Sequence, residues 1–171
     1  MTVKLREKIM FPDRPAAAGR SGNAALKSGA RSKVKPGLEK PGDIVRLAAA
    51  AALEKKAFDL IIFSVAGLTD YADYFLLASA SSTRQSSAVA GNIHTILKKA
   101  GIKPVSVSGV NEGRWVLLDF GAVIIHVFHQ PVREYYDLES IWSDAVRENM
   151  DEKELVSLLP DKPPFSANRF S

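Results

Sequence analysis

Cysteine is absent from this 171-residue chain, which excludes disulfide scaffolds, thiolate metal sites and a cysteine nucleophile, and fits a reducing compartment. No run of about 18 apolar residues occurs, so no segment is expected to span a membrane. The glycine- and histidine-based signatures of common enzymes are missing too: there is no G-x-G-x-x-G, no phosphate-binding P-loop, no G-x-S-x-G elbow and no H-E-x-x-H. Only three histidines are present, His94, His126 and His129. Residues three apart on a strand point to opposite faces, so His126 and His129 are not expected to chelate one metal. His126 reads first as a structural or hydrogen-bonding residue and second as a partner contact. No catalytic residue, metal or cofactor is expected.

Apolar residues make up 46% of the chain and charged residues 25%, enough to bury one core and too apolar for wholesale disorder. The length suits a single domain. The net charge of +4 conceals a segregation. Residues 1–40 carry ten Lys or Arg against Glu7, Asp13 and Glu39, a net of +7, and the other 131 residues are acidic by three charges. The high isoelectric point therefore belongs to the N-terminal arm, and a basic nucleic-acid-binding domain loses its main support.

The division predicted is a disordered basic arm over 1–41, a folded domain over 42–149 and a C-terminal tail over 150–171. The arm has prolines and glycines but no apolar period. It reads as a solvated arm of a cytoplasmic protein, with a segment touching RNA or a targeting presequence as alternatives. Met10 stands as an alternative start. In the tail, Leu155, Leu158 and Leu159 form a short apolar turn that Pro160, Pro163 and Pro164 stop.

Within the domain, Pro41-Gly42-Asp43 reads as a breaker and cap before an alanine-rich helix, Ile44 to Ala57. Asp59 to Ser64 and Tyr74 to Ser79 are short apolar runs of strand length. Ser82-Thr83-Arg84-Gln85 has the form of a capping box, and Val89, Ile93, Ile96, Leu97 and Ala100 follow at helical spacing until Gly101. Strands are expected at Pro104 to Ser108, Arg114 to Phe120 and Val123 to Phe128, the last two as a hairpin. Asp137 should cap a final helix with Leu138, Ile141, Trp142, Ala145 and Val146 inward. The order α-β-β-α-β-β-β-α predicts an α/β (α+β) fold, a mixed five-stranded sheet with flanking helices.

Two clusters invite a functional reading. Asp70 and Asp73 are close carboxylates at a strand entrance, but magnesium-dependent nucleotidyl transfer wants D-x-D after a Gly-Ser loop, and the spacing here is D-x-x-D without that loop. Strand-end hydrogen bonding is the first reading for Asp73, partner contact the second. The other cluster is Arg114-Trp115-Val116-Leu117-Leu118-Asp119-Phe120. Alternation places Val116, Leu118 and Phe120 on one face and Trp115, Leu117 and Asp119 on the other. If the first set faces the core, the second presents an aromatic anchor, an aliphatic neighbour and a carboxylate to a basic partner. If helices cover both faces, Trp115 is core. The pattern leaves both open.

Several motifs in one order carry a resemblance: Asp73-Tyr74-Phe75, Ser82-Thr83-Arg84-Gln85, Glu112-Gly113 before Trp115 to Gly121, His126-Val127-Phe128, and Arg133 to Glu139 with Trp142. Over roughly residues 43–147 the chain resembles the ribosomal silencing factor (RsfS, Iojap) family. The resemblance implies a nucleotidyltransferase-like fold without the catalytic residues. It further implies a translational repressor that binds the large ribosomal subunit at its protein fourteen and blocks joining of the small subunit under nutrient limitation. Trp115 then falls on the family's interface tryptophan, with Leu117 and Asp119 beside it, and Ala122 stands where an acidic residue is common, removing one acidic contact. A homodimer and weak rRNA contact by the arm accompany this reading. Its competitors are a nucleotidyltransferase-like enzyme using Asp70, Asp73 or Asp119 with magnesium, and an RNA-binding module acting through the arm.

Overall fold

The computed structural model describes residues 38–160, so the expectations for the arm lie almost wholly outside the described residues, as do those for the last eleven positions. Helix α1 spans Pro41–Glu54. It begins three residues earlier than the breaker reading: Pro41 enters the first turn, where a missing N–H costs nothing, Lys40 is the N-cap and Asp43 sits inside the first turn. It also stops short of Ala57, because Lys56 takes a left-handed φ of 65°. Ala48 to Ala52 are all fully buried. A helix buried on nearly every side needs small side chains to let its neighbours approach, which is why the run is alanine.

Strands β1 (Phe58–Ser64) and β2 (Tyr74–Ala80) pair antiparallel, with a register shift between Phe58 and Ile61 where Asp59 has φ 48°. Helix α2 spans Thr83–Lys99 and opens as the capping box requires: Gln85 N–H donates to Ser82 Oγ at 3.1 Å. The return bond lands one residue earlier than the standard box, Ser81 N–H to Gln85 Oε1 at 2.7 Å, and Gln85 Nε2 donates onward to the carbonyls of Lys55 and Lys56. One glutamine thereby ties the start of α2 to the end of α1. Gly101 follows α2 with φ 88°.

The remaining strands are β3 (Ser106–Ser108), β4 (Trp115–Asp119), β5 (Val123–His129) and β6 (Val146–Glu148), between which lie α3 (Gln130–Tyr136) and α4 (Leu138–Ile141); α5 (Glu152–Ser157) comes last. The β4–β5 hairpin closes through Gly121 at φ 83°. The sheet has six strands in the order β3-β4-β5-β2-β1-β6, parallel only between β2 and β5. It is thus the expected mixed sheet with one more strand than the five predicted.

The extra strand corrects the final-helix reading. Asp137 ends α3 in a left-handed conformation (φ 44°) and also precedes α4, which lasts one turn. Val146, predicted to face inward on a helix, instead pairs with Ser64 at the sheet edge and is 70% exposed. The segment assigned to the C-terminal tail begins with α5, whose Leu155 is buried in the same cluster as α1.

One face of the sheet packs on α1 and α2 through Ile62, Leu76, Ala78, Val116, Leu118, Ile125 and Val127. The other carries Phe63, Phe75, Leu77, His126 and Phe128, all 0% exposed, against Leu138 and Trp142. Phe75 and Trp142 meet edge to face at 4.9 Å.

Candidate functional site

Alternation along β4 is realised as predicted: Val116 and Leu118 join the helical-face core, with Phe120 packed against it, so Trp115, Leu117 and Asp119 fall on the second face. This face is only partly roofed. Trp115 is half-buried, whereas Leu117 and Asp119 are 7% and 8% exposed. Trp115 is therefore neither a free anchor nor a core residue. Its ring lies 4.9 Å from those of both Phe128 and Tyr136.

The approach to β4 is shaped by Gly113. A Cβ there would lie 2.2 Å from the Thr83 carbonyl oxygen, and φ is 65°. Only glycine lets the Glu112-Gly113 turn press against the start of α2 and deliver Trp115 into the strand. At the other end Asp119 Oδ1 accepts the Gly121 N–H at 2.8 Å. The carboxylate singled out as a partner-selecting charge thus also fastens the hairpin turn.

His126 lies across from Leu117 on β5. Trp115 Nε1–H donates to its Nδ1 at 3.1 Å, the hydrogen-bonding role expected of it. Burial pushes its pKa down from 6.5 to about 3, because a charged imidazolium has no water around it. Since the unfolded histidine takes up a proton below about pH 6.5 and the folded one does not, stability is greatest above that pH and falls as pH drops toward 3. Acidification from pH 6.5 to 5 is expected to cost about 2 kcal/mol through this residue. Chemical denaturation at the two pH values, with wild type and His126→Phe, checks it: the variant should lose that part of the dependence.

The tyrosines of α3 were not foreseen as site residues. Tyr135 is 82% and Tyr136 42% exposed, and their rings meet edge to face at 5.1 Å. With half-buried Trp115 they form an aromatic strip that opens to solvent. Consecutive tyrosines in the Arg133-Glu134-Tyr135-Tyr136 run were the available signal, but the helix that presents them went unpredicted.

Asp70 is exposed, and Asp73 is placed at the start of β2, where its backbone N–H donates to the Ala122 carbonyl at 2.7 Å and its carbonyl accepts from Val65 and Ala66. Those bonds are made by its backbone and place the residue at the strand entrance. Ala122 serves the same junction through its carbonyl. Among the described residues no group of three or more His, Cys, Asp or Glu is placed to hold a metal ion. No helix among them is long and apolar enough to cross a membrane.

Comparison with known proteins bears on this arrangement. Residues 39–168 match the family model described as "Ribosomal silencing factor during starvation". The chain is 40% identical over 108 residues to the ribosomal silencing factor RsfS of Bacillus subtilis, covering 63% of this chain and 92% of that one. It is 33% identical over 117 residues to the chloroplastic Iojap protein of Arabidopsis thaliana, covering 66% and 49% respectively. Among solved structures, one protein from Chromobacterium violaceum superimposes with a TM-score of 0.60 at 31% identity, over 75% of this chain and 94% of the other.

Proposed function

Given that the chain belongs to the RsfS family of ribosomal silencing factors, we propose that it represses translation by seating the aromatic strip of β4 and α3 on the large ribosomal subunit, at protein fourteen. Bound there, the domain occupies space that the small subunit needs, so joining is blocked sterically. Scarcity of nutrients is the condition under which this block operates, and the cytoplasm is where it acts.

The observation that carries this reading is half-buried Trp115, tilted against Phe128 at 4.9 Å and beside the exposed pair Tyr135 and Tyr136. Rigid aromatics with part of their surface exposed are the residues that dominate protein interfaces, since little side-chain entropy is lost when they are covered. Leu117 and Asp119 continue the same strand face with only 7% and 8% of their surface exposed, so they back the contact that Trp115 and the tyrosines make, and the Asp119 carboxylate suits a basic partner at its rim. An enzymatic role would need converging catalytic groups, and none of the described clusters supplies a reason to prefer one.

The test is sedimentation with purified ribosomal subunits kept apart. The full chain should co-sediment with large subunits and not with small ones, and excess protein should lower subunit association. Equal recovery with both subunits, or unaltered association at saturation, overturns the reading. A chain beginning at residue 38 tests the domain division in the same experiment. It should fold cooperatively and bind nearly as well, losing only the salt-sensitive affinity that a +7 arm adds.

A further inference from the structure

We propose that His126 is the positioning residue for Trp115: its Nδ1 accepts the indole N–H and so holds the ring in one orientation against Phe128 and Tyr136. This rests on the reading of Trp115 as an interface residue and adds what makes that interface preformed.

A half-buried indole on a strand has more than one staggered rotamer open to it, and its N–H needs an acceptor in whichever it adopts. Here the acceptor comes from the neighbouring strand at 3.1 Å. The imidazole is itself enclosed by its neighbours' rings. It is fully buried and meets the rings of Phe75 edge-on at 5.9 Å and Phe128 in a stack at 6.0 Å. To accept at Nδ1 it must be neutral with its proton on Nε2. Nε2 is buried with no hydrogen-bond partner among the described residues, so no second bond pulls the ring away from the indole.

Burying a histidine with one nitrogen unpaired is costly, and phenylalanine would fill the same space among these aromatics at no such cost. What phenylalanine lacks is the acceptor. With the indole N–H already satisfied, a partner that covers Trp115 need not provide a polar group for it, and recognition there rests on apolar fit.

The cleanest readout is on the unaltered chain. Nitrogen NMR of the imidazole should show an unprotonated Nδ1 and a protonated Nε2 at pH 7, and the Trp115 indole proton, assigned with Trp115→Phe, should exchange slowly with solvent. A protonated Nδ1, or an indole proton exchanging as fast as that of free tryptophan, overturns the proposal without any variant. His126→Phe should then free the indole proton to exchange and weaken sedimentation with large subunits about tenfold, the loss expected when roughly one molecule in ten holds the competent rotamer. His126→Asn, whose Oδ1 can stand near the Nδ1 position, should recover most of both. If Trp115→Ala loses binding while folded His126→Phe binds as wild type, positioning is refuted and the interface stands. If Trp115→Ala itself binds as wild type, the interface reading fails and this inference falls with it.

Discussion

Trp115→Ala weakens binding to the large subunit at least about 30-fold while leaving the domain folded. An aromatic anchor at the centre of an interface typically contributes more than about 2 kcal/mol, which is that factor in affinity. Folding should survive because the ring is only half-buried. A fully buried tryptophan costs about 3 to 5 kcal/mol on truncation, and about half of that leaves a typical domain folded at ambient temperature. Circular dichroism melts and subunit sedimentation on the same preparation separate the outcomes. A melted variant marks Trp115 as core, and a folded one with unchanged affinity removes the site from this strand. Asp119 calls for a gentler change than charge reversal, since its Oδ1 holds the Gly121 N–H. Asp119→Asn keeps that acceptor and removes the charge, so weaker binding by this variant reports the charge alone.

Arg133→Met should cost about 3 to 5 kcal/mol of stability, the range for stripping one partner from a buried ion pair. The guanidinium is 7% exposed and makes bonds in three directions. Nε and Nη2 both meet Glu139 Oε1 at 2.7 Å, and Nη1 donates to Ser79 Oγ at 2.8 Å and to the Asp59 carbonyl at 2.5 Å. That carbonyl is within reach because β1 bulges at Asp59. One side chain therefore binds α3 to both β1 and β2. Arg133→Lys should rescue little, since an ammonium cannot span the same partners. Replacing Glu139 by Leu together with Arg133→Met should recover part of the loss, because the orphaned carboxylate is then gone. Urea midpoints of the single and double variants check this, and a loss below about 1 kcal/mol in Arg133→Met contradicts it. Because α3 carries Tyr135 and Tyr136, the single variant should also loosen the aromatic strip.

Much of the fold was legible where local chemistry and burial agree. Ser82 and Gln85 announce α2 because the same side chains that satisfy orphan amides are rare by chance at that spacing. The apolar runs of β1, β2 and β5 read as strands because both faces of the sheet are covered, leaving little polar alternation. On β4 the period of two separated Trp115, Leu117 and Asp119 from the helical core without any coordinates. The family resemblance was likewise readable from motif order alone, and the match over residues 39–168 agrees with it.

Residues 130–148 read differently because their conformation answers to distant partners. Leu138, Ile141 and Trp142 have helical spacing, yet the chain makes one turn and then leaves to pair Val146, Arg147 and Glu148 with the edge of β1. A strand of three residues has no pattern of its own; the unpaired backbone of β1 creates it. Burial at the site was decided the same way. Alternation says which face Trp115 occupies, but not how much of that face α3 covers. The sequence by itself determined the elements from residue 41 to 129, which face of β4 turns inward, and the family. Only the tertiary structure decided that Trp115 is half-covered, that Asp119 also closes a turn, and that an indole N–H finds its acceptor eleven residues away on His126, since each depends on side chains meeting across strands that local sequence does not couple.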